Sequence, residues 1–461
     1  MSTGDNTPYG KRLIPSFIDE VSQSNPQRIC FSFPKSTNLA DGFRDLTFRT
    51  FTNAVDKTAH FIQKEVGRSS VFETIMYMGY PDVRYYIVLV ACMKTGHKVL
   101  FSSPHHTLAD HARLVRKTNC VILIHTSGFP VSGILETCKM ESLVMPELDY
   151  LLGDATPCSP YPYRYSYEEA RYHPVMVVCT SGEGKPEAVV WPHEVFLAMD
   201  AQQLVEPLDD WAVLWKTVSS GVRRSFNALP MFNGESLALG ITRVLFTNTV
   251  IVLGPPGDCT ADSFDQVLRN GNIDAAECSS ATLSEVAKRP DIIAKLGKLK
   301  HITYVGDPLP KSPGDLISQH TALYSLLSTP KLPFLVQHTS ARKDWAYVFL
   351  NPVRNSISFR PLSPNATSTL YELVIIRSAP RSEPPSRSAT RSPALSPFQV
   401  ASNRSATHSP APSPFQVAVR TSAPPSPRLG WEKVECPTGE LFSPHPDARK
   451  PNHWRYEGRI K

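Results

Sequence analysis

Hydrophobic residues in this chain fall mostly in short unbroken runs. Residues 73–79 (ETIMYMG) read as a buried strand ending in glycine, and Asp82 stands where a helix cap belongs, ahead of VRYYIVLVACMKTG. That helix is apolar nearly all round, which predicts burial, and Gly96 closes it. KVLFSS (98–103) reads as a second strand, Thr107 opens another helix, and CVILIH (120–125) is a third strand. Strand, helix, strand, helix at this spacing predicts βαβ units and a mostly parallel sheet, hence an α/β fold.

The pattern recurs. VMVVC (175–179), TVIVLG (249–254), HITYVG (301–306) and LYELVII (370–376) read as strands, and DSFDQVLRNG (262–271) as a helix ending at Gly271. TLSEVAKR and the segment after it, to Leu299, read as helical. Near the C-terminus Trp454 and Tyr456 alternate with polar residues, as in a half-buried strand.

Composition breaks this pattern once. Residues 378–427 hold 11 Pro, 12 Ser and a single acidic residue, too little apolar surface to offset the entropy of ordering, so disorder is predicted. The stretch contains two copies of one unit, RSATRSPALSPFQVA (387–401) and RSATHSPAPSPFQVA (404–418). Two polar copies do not make a solenoid. A phosphorylated docking segment and an inert insertion both fit this composition.

Charge follows the same division. The formal net charge is +6, and the residues from 379 onward carry 12 Lys or Arg against 6 Asp or Glu, which leaves 36 of each sign elsewhere. A neutral body argues against nucleic acid as partner. The nine cysteines include no CxxC pair, so neither a disulfide framework nor a zinc site is predicted, and free thiols imply a reducing compartment. The start, MSTGDNTPYGKRLIPSF, lacks the apolar core of a signal peptide, and the longest strongly apolar run, 87–93, is too short to span a bilayer. A cytoplasmic protein without a membrane partner is the expectation.

Several motifs, in order and spacing, carry a family likeness. MYMGYPDVRYYIVLVACMKTGHKVLFSSPHHTLADHARLVRKTNC, VVCTSGEGKPEAVVWPH, LPMF (229–232), YVGDPLPKSPGDLI (304–317), DWAYVFLNP, LYELVII and ELFSPHPDARKPNHWRYEGRI together resemble the adenylation domain of fungal NRPS-like adenylate-forming reductases. The resemblance runs from about Leu13 to Arg459, outside the Pro/Ser stretch. It implies the large N-terminal domain of an adenylate-forming (AMP-binding, ANL superfamily) enzyme, with parallel and mixed sheets flanked by helices. The expected organisation is a tail (1–12), the adenylation domain (13–377), the Pro/Ser insertion (378–427) and a short β segment completing the domain (428–461). The chain ends before the small C-terminal subdomain of the family. The implied reaction activates a small-molecule carboxylic acid with Mg-ATP, giving an acyl-adenylate and pyrophosphate. No pantetheine-bearing serine motif and no Gly-rich dinucleotide fingerprint is found, so carrier loading and NADPH-dependent reduction are not expected.

The resemblance also selects residues. The phosphate loop is Thr180-Ser181-Gly182-Glu183-Gly184-Lys185-Pro186-Glu187. Thr180, Ser181, Gly182, Gly184 and Lys185 are the expected phosphate ligands, because hydroxyls, glycine amides and an ammonium can cradle an anion. The family pattern has a longer Ser/Thr run ending in Pro-Lys, whereas here Glu187 stands in place of the lysine and Glu183 in place of a hydroxyl residue. Two carboxylates beside a triphosphate repel it, and a turn that binds nothing is the alternative. The family's Tyr-Gly-Ser-Thr-Glu segment matches Leu327-Ser328-Thr329-Pro330-Lys331. Thr329 is expected near the adenylate, while Lys331 replaces the metal-directed carboxylate, so no metal ligand is assigned. Glu440 matches the ribose-binding aspartate and Arg459 the hinge arginine, and Lys461 reads as a surface charge.

Other groups carry less. Phe232-Asn233-Gly234 replaces an aromatic-His pair and reads as a simple Asn-Gly turn. His105, His106 and His111 read as a solvated loop and helix face, since no acidic or Cys partner stands at ligand spacing. Met76, Tyr77, Met78, Tyr85 and Tyr86 read as core, and no G-x-S-x-G elbow supports a hydrolase. Two readings of function follow: an adenylate-forming protein of fungal secondary metabolism, or a catalytically inactive remnant acting through protein–protein contacts. A third, a phospho-regulated adaptor, rests on the 378–427 composition alone.

Overall fold

A computed structural model describes residues 8–153, 158–180, 185–363, 369–380 and 431–460. Residues 381–430, with the repeats at 387–418, therefore lie outside the described residues, whereas 378–380, where the composition predicts disorder, continue the strand Tyr371–Pro380.

The apolar runs become three sheets. In the first, strands lie side by side in the order Ala322–Ser325, His301–Val305, Ala275–Ser279, Arg224–Asn227, Val250–Leu253, Ile29–Pro34 and Phe43–Thr47, all parallel except the last. The second runs Glu141–Val144, Ile122–His125, Thr74–Met78, Lys98–Phe101, Pro174–Cys179 and Ala188–Pro192, again parallel except for the last strand. The third is antiparallel throughout: Gln337–His338, Tyr347–Leu350, His453–Arg459, Trp431–Pro444, Tyr371–Pro380 and Ile357–Pro361. The predicted α/β class with parallel sheets flanked by helices is the observed architecture, with a third, antiparallel sheet beside the other two.

Continuous apolar strands require cover on both faces, and two helices supply it between the first and second sheets. Every residue of Arg84–Thr95 is buried, as its all-round apolarity predicts. Gly96 ends it at φ +79, the left-handed conformation that costs glycine nothing, donating its N–H to Cys92 and Met93 carbonyls. The second helix, Gly234–Phe246, is buried except for Glu235. The two approach so closely that a Cβ on Gly240 would overlap the Tyr86 hydroxyl. That hydroxyl accepts a hydrogen bond from Asn227 Nδ2 at 3.0 Å, so the polar atom is satisfied inside the core. Tyr77, Tyr85 and Tyr86 pack into the core cluster shared by the two sheets and helices, and Met76 and Met78 into a cluster on the far side of the second sheet.

Buried charges are paired. The Lys94 ammonium, fully enclosed, lies 2.6 Å from Asp19 and 2.7 Å from Asp56. Arg243 meets Glu277 at 2.8 Å, and Ser225 donates to the same carboxylate. Breaking such a pair strands a charge in low dielectric, at a cost of about 3–5 kcal/mol.

Three local expectations are corrected. KVLFSS is strand only over Lys98–Phe101, and the helical reading of 282–299 divides into Ser280–Ala287, Pro290–Ile293 and the 3-10 turn Leu296–Lys298, because Pro290 cannot continue the first helix. Asn233-Gly234 is no isolated turn: Asn233 precedes, and Gly234 begins, a 13-residue helix. All nine cysteines are free, and among the described residues no helix is long and apolar enough to cross a membrane.

Five buried histidines prefer the neutral form. Desolvation lowers the pKa of His97, His111 and His453 to about 4 and of His193 and His301 to about 3. A depressed folded pKa stabilises the protein above the unfolded value near 6.5, and that stability is lost as pH falls below it, at about 1.4 kcal/mol per histidine per pH unit. Thermal melts should therefore show Tm falling steeply between pH 7 and 5, with uptake of several protons on unfolding. His301→Gln should reduce that uptake by about one proton.

Candidate functional site

The segment expected to bind phosphate lies between two antiparallel strands, Pro174–Cys179 and Ala188–Pro192. Thr180 and Glu187 close it: the Thr180 N–H donates to the Glu187 carbonyl and the Glu187 N–H to Thr180 Oγ1, both at 2.9 Å. The hydroxyl that could hold a phosphate thus already accepts one backbone donor and keeps its own proton to give. Lys185 is exposed and Pro186 buried. Ser181, Gly182, Glu183 and Gly184 lie outside the described residues.

Thr329 lies in a tight turn rather than on an open surface. It is buried, exchanges backbone hydrogen bonds with Leu332, and its Oγ1 accepts the Leu332 N–H at 3.1 Å. The turn is pinned from below, where buried Trp191 donates Nε1–H to the Pro330 carbonyl at 2.8 Å. At its tip Lys331 meets Glu187, Nζ to carboxylate 3.1 Å, with both side chains about half exposed. Two of the charged residues that the sequence comparison read as departures from the family pattern are therefore each other's partners. The hydrogen bond and charge of Lys331 hold the Glu187 carboxyl below its usual range, and Lys117 adds to the effect.

Glu440 and Arg459 also come together. They face each other across the Trp431–Pro444 and His453–Arg459 strands, and Arg459 Nε donates to Glu440 Oε1 at 3.0 Å. Tyr456 donates its hydroxyl to Glu440 Oε2 at 2.6 Å. Burial and the neighbouring carboxylate push the Tyr456 phenol well above its ordinary range, so it stays a donor. Glu440 is 1% exposed; each of its oxygens already accepts one bond, and each retains a lone pair for a hydroxyl.

Sequence reasoning missed Glu235. It is the second residue of the Gly234–Phe246 helix and the only one there that is not fully buried. Desolvation pushes its carboxyl up to about 7, with Arg459 pulling down and Glu440 pushing up. Glu235 thus shares the electrostatic field of the Glu440–Arg459 pair. A carboxylate in the first turn of an apolar helix is the one signal that could have singled it out.

Two cavities lie beside Thr180 and the start of the Gly234–Phe246 helix. One of about 310 Å³ lies between Thr180, Pro186, Asn233 and the 105–110 segment with His105, His106 and Asp110. The other, about 200 Å³, is apolar, with Phe129, Phe226, Leu229, Met231 and Leu253 in its wall. His105 and Phe232 border both, their rings 5.9 Å apart. The histidine reading is corrected at one residue. His105 is exposed, but His111 is 2% exposed, and its Nδ1 and that of His106 both lie 3.0 Å from the Ser102 hydroxyl. Among the described residues no group of three or more His, Cys, Asp or Glu could hold a metal ion. Magnesium rarely needs such a cage, because one or two carboxylates and the substrate phosphates complete its shell.

The sequence pattern of the AMP-binding enzyme family matches residues 18–323, and the chain belongs to that family. It is 29% identical over 375 residues to the isocyanide synthase-NRPS hybrid crmA of Aspergillus fumigatus, covering 79% of this chain and 24% of that protein. It is 27% identical over 387 residues to a carboxylic acid reductase of Neurospora crassa, covering 82% and 36%. The chain thus spans about a quarter to a third of the length of these relatives. In fold it is similar to the N-terminal subdomain of Klebsiella oxytoca NpsA (TM-score 0.63, 14% identity, 97% of this chain and 100% of that one). It is likewise similar to Mycobacterium smegmatis MbtA (TM-score 0.66, 13% identity, 98% and 76%). The NpsA subdomain has also been solved in complex with 3-hydroxybenzoyl-AMSN.

The Glu440 contacts carry a stability consequence. Glu440→Ala strands a buried phenol and part of a guanidinium, so denaturant titration should show a loss of about 2–3 kcal/mol, against about 1 kcal/mol for Tyr456→Phe. Glu440→Gln, which keeps an acceptor, should fall between the two.

Proposed function

We propose that this chain activates a carboxylic acid with Mg-ATP, forming an acyl-adenylate and releasing pyrophosphate. In that reaction a carboxylate oxygen of the acid bonds to the α-phosphorus as the bond to the pyrophosphate oxygen breaks. The observation that carries this reading is convergence. Thr180 and Asn233 border one chamber, and Glu235, two residues beyond Asn233, lies within electrostatic reach of Glu440 and Arg459. A hydroxyl suited to phosphate on one side and a carboxylate suited to ribose hydroxyls on the other, linked through the start of one helix, support the reading. Membership of the AMP-binding family and the likeness in fold to a subdomain solved with 3-hydroxybenzoyl-AMSN support the same reading.

In this reading Thr180 donates its hydroxyl proton, and Lys185 its charge, to the phosphates. Ser181, Gly182 and Gly184 add hydroxyl and amide donors from the same loop. Glu440 accepts ribose hydroxyls on its free lone pairs while Tyr456 and Arg459 hold it in place. Thr329 acts through its turn rather than as a direct ligand. Bound magnesium would neutralise charge on the phosphates. The acid enters beside Asn233. The chain would serve the secondary metabolism of a fungus from the cytoplasm, with residues 13–377 and 428–461 forming one adenylation unit around the 378–427 insertion.

A second reading is a non-catalytic scaffold acting through protein partners. The Thr329 hydroxyl committed to a turn, and Glu187 already neutralised by Lys331, favour it. Calorimetry of purified chain with Mg-ATP separates the two, followed by acid-dependent pyrophosphate exchange. Binding that weakens at least about tenfold in Glu440→Gln is expected if the site is as described. A folded chain that takes up no Mg-ATP leaves only the scaffold.

A further inference from the structure

The apolar chamber of about 200 Å³ lies where five parallel strands end. Gly79 and Pro81 follow Thr74–Met78, His105 follows Lys98–Phe101, and Phe129 follows Ile122–His125. Residues 228–232 follow Arg224–Asn227, and Asp258 follows Val250–Leu253. The carboxyl ends of parallel strands are where α/β sheets take their ligands, because the loops diverge there and leave a crevice.

Away from its mouth, the polar side chains of this wall are spent on the protein itself. Tyr85 donates its hydroxyl to the Gly79 carbonyl at 3.1 Å. Asn227 gives its amide to Tyr86 and Ser236, and its Oδ1 accepts the Leu229 N–H. Ser263 donates to the Thr260 carbonyl at 3.0 Å, and burial pushes the Cys259 thiol up to about 11, so it stays uncharged. Among the described residues the wall holds no lysine or arginine. A charged group at the inner end of a ligand would lose its hydration here and gain no partner. The mouth is different. There the exposed side chains of His105 and Asp258 meet, Nε2 to carboxylate 3.4 Å. A carboxylate held by an imidazole on the rim of an apolar chamber is the arrangement that an acid with an apolar tail would itself complete. His105 also borders the chamber of Thr180 and Asn233, so a carboxylate on it stands between the two. An exposed pair of this kind contributes little stability, and an incoming carboxylate replaces Asp258 at small cost.

We propose that the acid this chain activates has a compact, uncharged, apolar tail: the tail fills the chamber walled by Phe129, Phe226, Leu229 and Met231, and the carboxylate takes the place of Asp258 at His105. This rests on the adenylation reading and names its substrate class. An apolar cavity of about 150 Å³ accommodates benzene, so a tail of about six to eight non-hydrogen atoms fits here. Acids that carry an ammonium or a second carboxylate at the far end of the tail are poor substrates, because that end meets only apolar groups and polar atoms already paired.

Acid-dependent pyrophosphate exchange on the full chain tests it, beside calorimetry with Mg-ATP. Along the series from acetate to octanoate, KM for the acid should fall about fourfold per methylene until the chamber is full, then level off. Hexanoate should exceed 6-aminohexanoate and hexanedioate in kcat/KM by at least about a hundredfold. His105→Ala should raise KM for hexanoate about tenfold while KM for ATP changes less than about threefold, and Asp258→Asn, which removes the competing carboxylate, should lower KM for hexanoate. Both side chains are exposed, and thermal melts establish that the variants are folded. Phe129→Ala, which enlarges the chamber, should move the optimum toward longer tails. If 6-aminohexanoate or hexanedioate is the better substrate, if KM does not fall along the series, or if His105→Ala and Asp258→Asn both leave KM for hexanoate within about twofold, this inference is overturned while the adenylation reading stands. A chain that binds Mg-ATP but exchanges with none of these acids overturns it too. A folded chain that neither binds Mg-ATP nor exchanges with any acid sinks the adenylation reading, and this inference with it.

Discussion

The contact between Tyr86 and Gly240 sets much of the rest. Two sheets of continuous apolar strands can share a core only if something apolar on every side fills the space between them. The helices Arg84–Thr95 and Gly234–Phe246 do so, and they fit because one presents a glycine where the other presents a tyrosine hydroxyl. Burying that hydroxyl would be costly without a partner. Asn227 supplies one, and its amide also holds the Ser236 carbonyl at 3.1 Å. The end of the Arg224–Asn227 strand is thereby tied to the start of the following helix. Of the residues between them, 228–232 line the apolar cavity, Phe232 and Asn233 line the other, and the helix starts where the two meet.

Charge is handled differently in the core and at the cleft. Lys94 sits between two aspartates, and Arg243 against Glu277, with both cations fully enclosed. These pairs belong to the fold. Around the cleft the groups keep something in reserve. Glu440 is enclosed and held by two donors but retains lone pairs, Glu235 is desolvated enough to titrate near neutrality, and Glu187 and Lys331 pair in the open. A low-dielectric environment with incompletely satisfied polar groups is where a bound ligand gains most.

Much of the parallel framework was legible from short apolar runs. The strands at 74–78, 98–101, 122–125, 174–179, 250–253 and 301–305 match short, mostly apolar segments, and the helix at 84–95 matches a run apolar on nearly all faces. The turns that Thr107 and Gly96 open and close follow from their local chemistry. The site was less legible. Thr180, Thr329, Glu440 and Arg459 were chosen by resemblance, and only coordinates show that the Thr329 hydroxyl is turned inward to Leu332 or that Glu440 is shared by Tyr456 and Arg459. Asn233-Gly234 misled because the same dipeptide serves a hairpin turn and a helix start, and only packing behind it decides which.

What the sequence by itself determined is the set of properties that depend on neighbours in the chain: which segments are strands, which helix must be buried, and where composition stops supporting a core. Period and propensity are local, so they survive without coordinates. What only tertiary structure decided is which distant charges meet. Glu187 and Lys331 are 144 positions apart, and each taken alone reads as damage to the motif that holds it. Coulombic interaction depends on distance in space and not along the chain, so whether two such changes oppose or compensate each other is fixed only when the strand pair carrying one loop folds against the turn carrying the other.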